Sequence, residues 1–131
     1  MLELVVSPIY VGLTCLLMAV LATRVAILRG VYGVALGNGG APPLALAIRH
    51  FGNLSEYAAA VLLLLVVMEL TGVAGPWLHA YGLSFLVLRL VHPFVLFSRM
   101  DAPFVQKVGR FVVGAGTAML LVIGSLAVMF G

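Results

Sequence analysis

Charge is what this chain has least of. Only four acidic and seven basic residues occur among 131, so 8% of the chain is charged, against about a quarter in ordinary soluble domains. With 64% of residues hydrophobic, too little polar surface remains to cover a soluble core, and a water-soluble fold is excluded. Cys15 is the one cysteine, so no intrachain disulfide forms and the redox compartment stays open; Cys15 itself reads as a lipid-facing or packing residue. The chain lacks a positively charged segment ahead of its first apolar run. That run, Leu4 to Thr23, is long for a signal-peptide core and is expected to stay in the mature protein. No basic cluster carries interleaved aromatics, which argues against nucleic acid despite a formal charge of +3. His50, His79 and His92 lack ligand-like spacing, so no metal site is expected. Long-period repeats, low-complexity tracts and linkers are also missing.

What remains is apolar sequence in lengths that cross a bilayer. A transmembrane helix needs about 20 apolar residues, and four such spans with short connections use nearly the whole chain. The expected architecture is an all-α integral membrane bundle in one domain, residues 1–131, with helices at about 4–29, 44–70, 77–98 and 104–130. The breakers agree. Gly37-Asn38-Gly39-Gly40 with Pro42-Pro43 forms the one substantial loop, Thr71-Gly72 with Gly75-Pro76 forms a tight turn, and Asp101-Ala102-Pro103 closes the third helix. Helix four repeats small residues at Gly109, Gly114 and Ala118, a pattern for close helix packing.

Lysine and arginine orient the bundle. Arg24, Arg29 and Arg49 flank the first loop and Arg99, Lys107 and Arg110 flank the third, whereas the opposite side has none. The positive-inside rule then makes both basic loops cytoplasmic and puts both termini and the Thr71 to Pro76 turn outside. Arg24, Arg29, Lys107 and Arg110 are accounted for as topology determinants. Trp77, His79 and Tyr81 read as anchors at the outer interface, and Glu69 as an interfacial residue.

The middle two helices carry the unusual residues. Arg49, Asn53 and Glu56, spaced i, i+4 and i+7, fall within an arc of roughly 60° on one face. Arg89, His92 and Arg99 fall within roughly 80° on helix three. At about 1.5 Å per residue, Glu56 and Arg89 both lie roughly 20 Å below the outer face, level with each other inside the hydrocarbon. Isolated charges are costly there, so they should point inward, and at matched depth the two can compensate each other. A structural ion pair is the plain reading of Glu56 with Arg89. The functional one is a cationic pocket open to the cytoplasm, widening through His92, Asn53, Arg49, Arg24 and Arg99. Its guanidinium groups suit a small anion with several carboxylates. His50, at the start of helix two, reads as a solvated helix-end residue.

Arg49-His50-Phe51-Gly52-Asn53-Leu54-Ser55-Glu56-Tyr57 resembles the R-x-x-x-N-x-x-E-Y signature of the membrane-associated proteins in eicosanoid and glutathione metabolism (MAPEG). Arg89-Leu90-Val91-His92 and the order of four helices extend the resemblance essentially end to end, and the Gly37 to Gly40 loop is similar to small bacterial members. The family includes microsomal glutathione transferases and leukotriene and prostaglandin synthases. The resemblance implies a homotrimer in a bacterial inner membrane, with glutathione as co-substrate bound between subunits. Arg49, Asn53 and Glu56 would hold the tripeptide's charged ends, Glu56 taking its amino group. Arg89, His92 and Arg24 would line the same site, and Arg99 would stabilise the thiolate. Many catalytic members carry a tyrosine one turn beyond the Arg89-His92 pair, where this chain has Leu96.

The function expected is a glutathione transferase or peroxidase acting on lipophilic electrophiles that arrive through the bilayer. Two other classes compete. A small multidrug transporter also uses four helices and an intramembrane carboxylate, but its acid lies on helix one, where this chain has none between Leu4 and Thr23. A non-catalytic membrane scaffold is compatible with the missing tyrosine.

Overall fold

Proline placement decides where each helix begins. The computed structural model describes residues 3–96 and 102–131, and within them the chain forms α1 (Ser7–Tyr32), α2 (Pro42–Leu70), α3 (Gly75–Val95) and α4 (Phe104–Phe130). Pro8, Pro42 and Pro76 lie in the first turns of α1, α2 and α3, and Pro103 directly precedes α4. There the missing N–H costs nothing and the fixed φ suits a helix start. All four helices are long and apolar enough to cross a membrane, and no strand occurs among the described residues.

Helix ends follow local chemistry more than charge. The expected end of α1 at residue 29 moves to Tyr32, because Gly33 adopts a left-handed φ of 65° and its N–H closes on the carbonyls of Arg29 and Gly30. The Arg29 guanidinium donates to the carbonyls of Ala35 and Gly37, both at 3.0 Å, and so ties the loop to the helix it leaves. α3 carries Pro93 in its last turn and stops at Val95, with Leu96 already extended. The last expected residues of that helix, 97 and 98, lie outside the described residues.

α2 is the central element, in contact with α1, α3 and α4. Leu54, Ala58, Val61, Leu65 and Met68 recur at alternating spacings of four and three, and all are buried. Phe85 and Leu78 of α3, Tyr10 of α1 and Leu120 of α4 join them in one core. Gly82 lets α1 and α3 approach: a Cβ there would sit 2.5 Å from the Tyr10 ring. Of the small residues on α4, Gly109 lies tight against Val95, as expected, but Gly114 has open space beside it.

At one end of the bundle polar groups lock the helices together. α1 has no side-chain cap of its own. The Glu69 carboxylate at the end of α2 supplies one, accepting the backbone N–H groups of Val5, Val6 and Ser7 at 2.6, 2.6 and 2.7 Å. An acidic group at a helix N-terminus also meets the positive end of the dipole. Nearby, the Tyr10 hydroxyl lies 3.0 Å from His79 Nδ1, and the Tyr81 hydroxyl donates to the Leu120 carbonyl at 3.0 Å. Along most of their length α1 and α4 expose apolar side chains, Leu16, Val20 and Ile27 on one, Phe111, Met119 and Met129 on the other, with Arg24, Lys107 and Arg110 exposed toward the other end.

Candidate functional site

At the opposite end, α2, α3 and α4 line a polar, partly open cavity of about 110 Å³. α2 contributes Arg49, Asn53 and Tyr57; α3 contributes Arg89 and His92, with Leu96 just beyond it; α4 contributes Arg110, Val113, Gly114 and Thr117. Each helix supplies one turn-spaced polar stripe. On α4 the spacing of Arg110, Gly114 and Thr117 repeats the i, i+4, i+7 pattern of Arg49, Asn53 and Glu56, so each set lies on a single face.

Arg89 organises the cavity. Its residue is 3% exposed, and one terminal nitrogen donates to Asn53 Oδ1 while the other donates to Thr117 Oγ1. Thr117 can accept because its own proton goes to the Val113 carbonyl one turn earlier, at 2.7 Å. The guanidinium carbon lies 5.5 Å from the Tyr57 ring centre and 5.7 Å from that of Phe85, within cation–π range. These bonds fix the side chain, yet they run to neutral oxygens and ring faces. A buried cation held this way keeps its charge available to an anion entering the cavity.

Glu56 does not take Arg89 as its partner, although the two were expected level. It pairs with Arg49 on its own helix at 3.0 Å, both side chains about half exposed. Matched depth fixes height along the bundle but not the direction of a side chain around its helix, and Arg49 two turns away lies on the same face. Arg49 itself lines the cavity, so Glu56 borders the site through its partner.

The other expected residues divide. Arg49, Asn53, Arg89 and His92 are brought to one cavity. Arg24 lies instead along an apolar groove on α1, beside Thr23 and Ile27. Arg99 lies outside the described residues. His50, expected in solvent, is 5% exposed; its ring stands edge-on to His92, centroids 6.0 Å apart. It is buried because the α2 turn carrying it is packed between neighbours, with Ala47 and Leu54 of the same face also inside. No group of three or more histidine, cysteine or carboxylate side chains able to hold a metal occurs among the described residues.

Five cavity residues carried no functional reading in the sequence: Tyr57, Arg110, Val113, Gly114 and Thr117. Arg110 was absorbed by topology and Gly114 by helix packing. The signal that could have found them is the shared face of Arg110, Gly114 and Thr117, matching in spacing the face on α2.

The MAPEG family model matches residues 7–130. This chain belongs to the MAPEG family. It is similar to the inner membrane protein YecN of Escherichia coli strain K12, 38% identical over 87 residues that make up 66% of this chain and 66% of the relative. YecN of E. coli O6:H1 (strain CFT073) matches to the same extent. The aligned region thus spans just under two thirds of these relatives' length. No solved structure matches. In this MAPEG member the helix-two signature is split by its fold: Arg49, Asn53 and Tyr57 face the cavity, while Glu56 stands at its rim on the ion pair with Arg49.

Proposed function

We propose that this MAPEG member binds glutathione and directs its thiolate at lipophilic electrophiles reaching the site from the bilayer, as a transferase or peroxidase. The observation that carries the reading is Arg89, a buried guanidinium bonded to neutral groups in a cavity it shares with Arg49 and Arg110. Glutathione offers two carboxylates to such cations and an ammonium to Glu56. Its thiol needs a cation nearby, because the thiolate is the nucleophile and positive charge favours it. We assign that role to Arg110, which lines the cavity, beside Arg99, the residue that the sequence nominates.

The site is completed by a second copy of the chain. A cavity of about 110 Å³ is small beside the roughly 300–1,000 Å³ of small-molecule pockets, so one chain offers a wall and not an enclosure. The Arg49–Glu56 pair points the same way. Both side chains are about half exposed on a membrane-spanning helix, and charges facing lipid are costly. A neighbouring subunit covering that face, in a homotrimer, removes the cost and closes the pocket. Arg49, Lys107 and Arg110 lie toward the cavity end of the bundle. By the positive-inside rule that end faces the cytoplasm of an inner membrane and both termini lie outside.

A binding protein without turnover is the second reading. Leu96 lines the cavity at the position where many catalytic members carry a tyrosine, and a hydroxyl contact to the ligand is missing there.

Calorimetry of glutathione binding to the purified wild type, Arg89→Ala and Glu56→Ala tests the proposal. Wild type binds, and loss of Arg89 weakens binding by at least about tenfold, the scale of one charge-assisted hydrogen bond. Equal affinity in all three proteins, or none in wild type, removes the site. Ultraviolet thiolate absorbance on adding glutathione separates turnover-competent binding from simple binding.

A further inference from the structure

His50 sits where an imidazole is hard to accommodate. The residue is 5% exposed, and neither ring nitrogen meets a hydrogen-bond partner among the described residues. Buried polar side chains are nearly always satisfied, because an unsatisfied one loses its water without gaining a partner. Such a group in a membrane-spanning helix points to a task.

Its surroundings narrow what that task is. The His50 ring stands edge-on to His92, with centroids 6.0 Å apart and planes at 85°. His92 lines the cavity, whereas His50 does not. One imidazole therefore meets the ligand space and the other stands behind it on α2. The charged neighbours come from every helix: Arg24 of α1 acts on His50, while Arg49 of α2, Arg89 of α3 and Arg110 of α4 act on His92. A divalent metal between the rings would face four guanidinium groups, which argues against that occupant. Proton traffic remains. A neutral imidazole has one donor and one acceptor nitrogen, so it can take a proton on one side while releasing another on the opposite side.

We infer that His92 accepts the thiol proton of the bound ligand and that His50 carries it out of the cavity, the two rings forming a proton relay from α3 into α2. The inference rests on the glutathione reading above. In the step, the S–H bond breaks and its electron pair stays on sulfur as the thiolate. A new N–H bond forms on one nitrogen of His92. As it forms, the proton on its other nitrogen passes, directly or through water, to His50, and His50 gives up its own second proton to a water molecule that reaches its ring, so neither imidazole is left charged. When the thiolate then adds to an electron-poor double bond, a C–S bond forms and the neighbouring carbon takes one proton from solvent, so the sum of thiol and alkene equals the adduct. His92 is the catalytic base; His50 acts through it.

The test follows proton release and thiolate formation by stopped flow when glutathione is mixed with purified full-length protein, beside calorimetric affinity. Wild type releases a proton with the thiolate signal. His50→Gln and the smaller His50→Asn keep glutathione affinity within about threefold, but form thiolate about 100-fold more slowly, the lower end of what a positioned proton-transfer group contributes. Added free imidazole restores part of the rate. Rates equal to wild type in either variant overturn the relay while leaving glutathione binding intact. Lost affinity in a folded variant also overturns it, since His50 would then belong to binding. No glutathione binding by wild type overturns the functional reading and the relay with it. A readout that needs no variant is histidine-labelled nuclear magnetic resonance of wild type: the His50 ring signals shift when glutathione is added, and unchanged signals sink the relay.

Discussion

Arg89 of α3 donates to the hydroxyl of Thr117 on α4, which in turn donates a hydrogen bond to the Val113 carbonyl at 2.7 Å. Two consecutive helices thereby share one buried cation, and a threonine that would be unremarkable in a membrane helix sets the position of a charge. Thr117→Val keeps the shape and removes the acceptor. It is expected to lower stability by about 1–3 kcal/mol, the cost of leaving a buried charged donor unmade, whereas Thr117→Ser stays close to wild type. Apparent melting temperature in detergent distinguishes the two, and a Val variant as stable as Ser would remove Thr117 from the cation's support.

Glu69 reaches the first turn of α1 from the end of α2. Because three backbone N–H groups converge on one carboxylate, Glu69→Ala is expected to cost about 1–2 kcal/mol, as a lost cap does. Glu69→Gln keeps one acceptor oxygen and should lie between. Hydrogen exchange at Val6 and Ser7 provides the local check: unchanged protection in the Ala variant contradicts the cap.

Gly82 faces the Tyr10 ring, where an added Cβ would come within 2.5 Å. Gly82→Ala should therefore push the ring aside, break the 3.0 Å contact between its hydroxyl and His79, and cost about 1–3 kcal/mol through overpacking. The measurement is thermal unfolding, with Tyr10→Leu in the same background restoring part of the loss.

Leu96 borders the cavity. Leu96→Tyr places a hydroxyl near the proposed thiol position and is expected to raise the glutathione-dependent rate by about fivefold, the worth of a net hydrogen bond of about 1 kcal/mol. Conjugation of a model lipophilic electrophile at saturating glutathione reports it. A rate unchanged while glutathione still binds would separate this position from the chemistry.

Much of the architecture was legible in residues alone, because length and hydropathy act locally. α4 begins at Phe104 and ends at Phe130, as its apolar run indicates, and α2 begins two residues earlier than expected, on Pro42. α1 runs three residues further than Arg29 because a glycine, not a charge, ends it. The site was legible along each helix but not between helices. Arg49, Asn53, Arg89 and His92 shared a face or a depth in the sequence, and the structure gathers them. Arg110 and Thr117 come from α4, whose orientation toward α2 and α3 depends on packing that one chain's periodicity cannot specify. The partner of Glu56 was hidden for a related reason: two candidate cations lay within reach, and the side-chain direction chose the one on its own helix. Burial of His50 depends on contacts to several helices at once and leaves no trace in spacing.

The cap on α1 lies 62 residues further along the chain than the turn it closes. During synthesis, then, the first helix emerges before the carboxylate that accepts the amides of Val5, Val6 and Ser7. Only when the second helix has returned to the same face of the bilayer does the carboxylate arrive. The smallest unit that can settle in lipid with its backbone complete is thus the hairpin, and a ribosome halted between the two would leave an unfinished guest in the membrane.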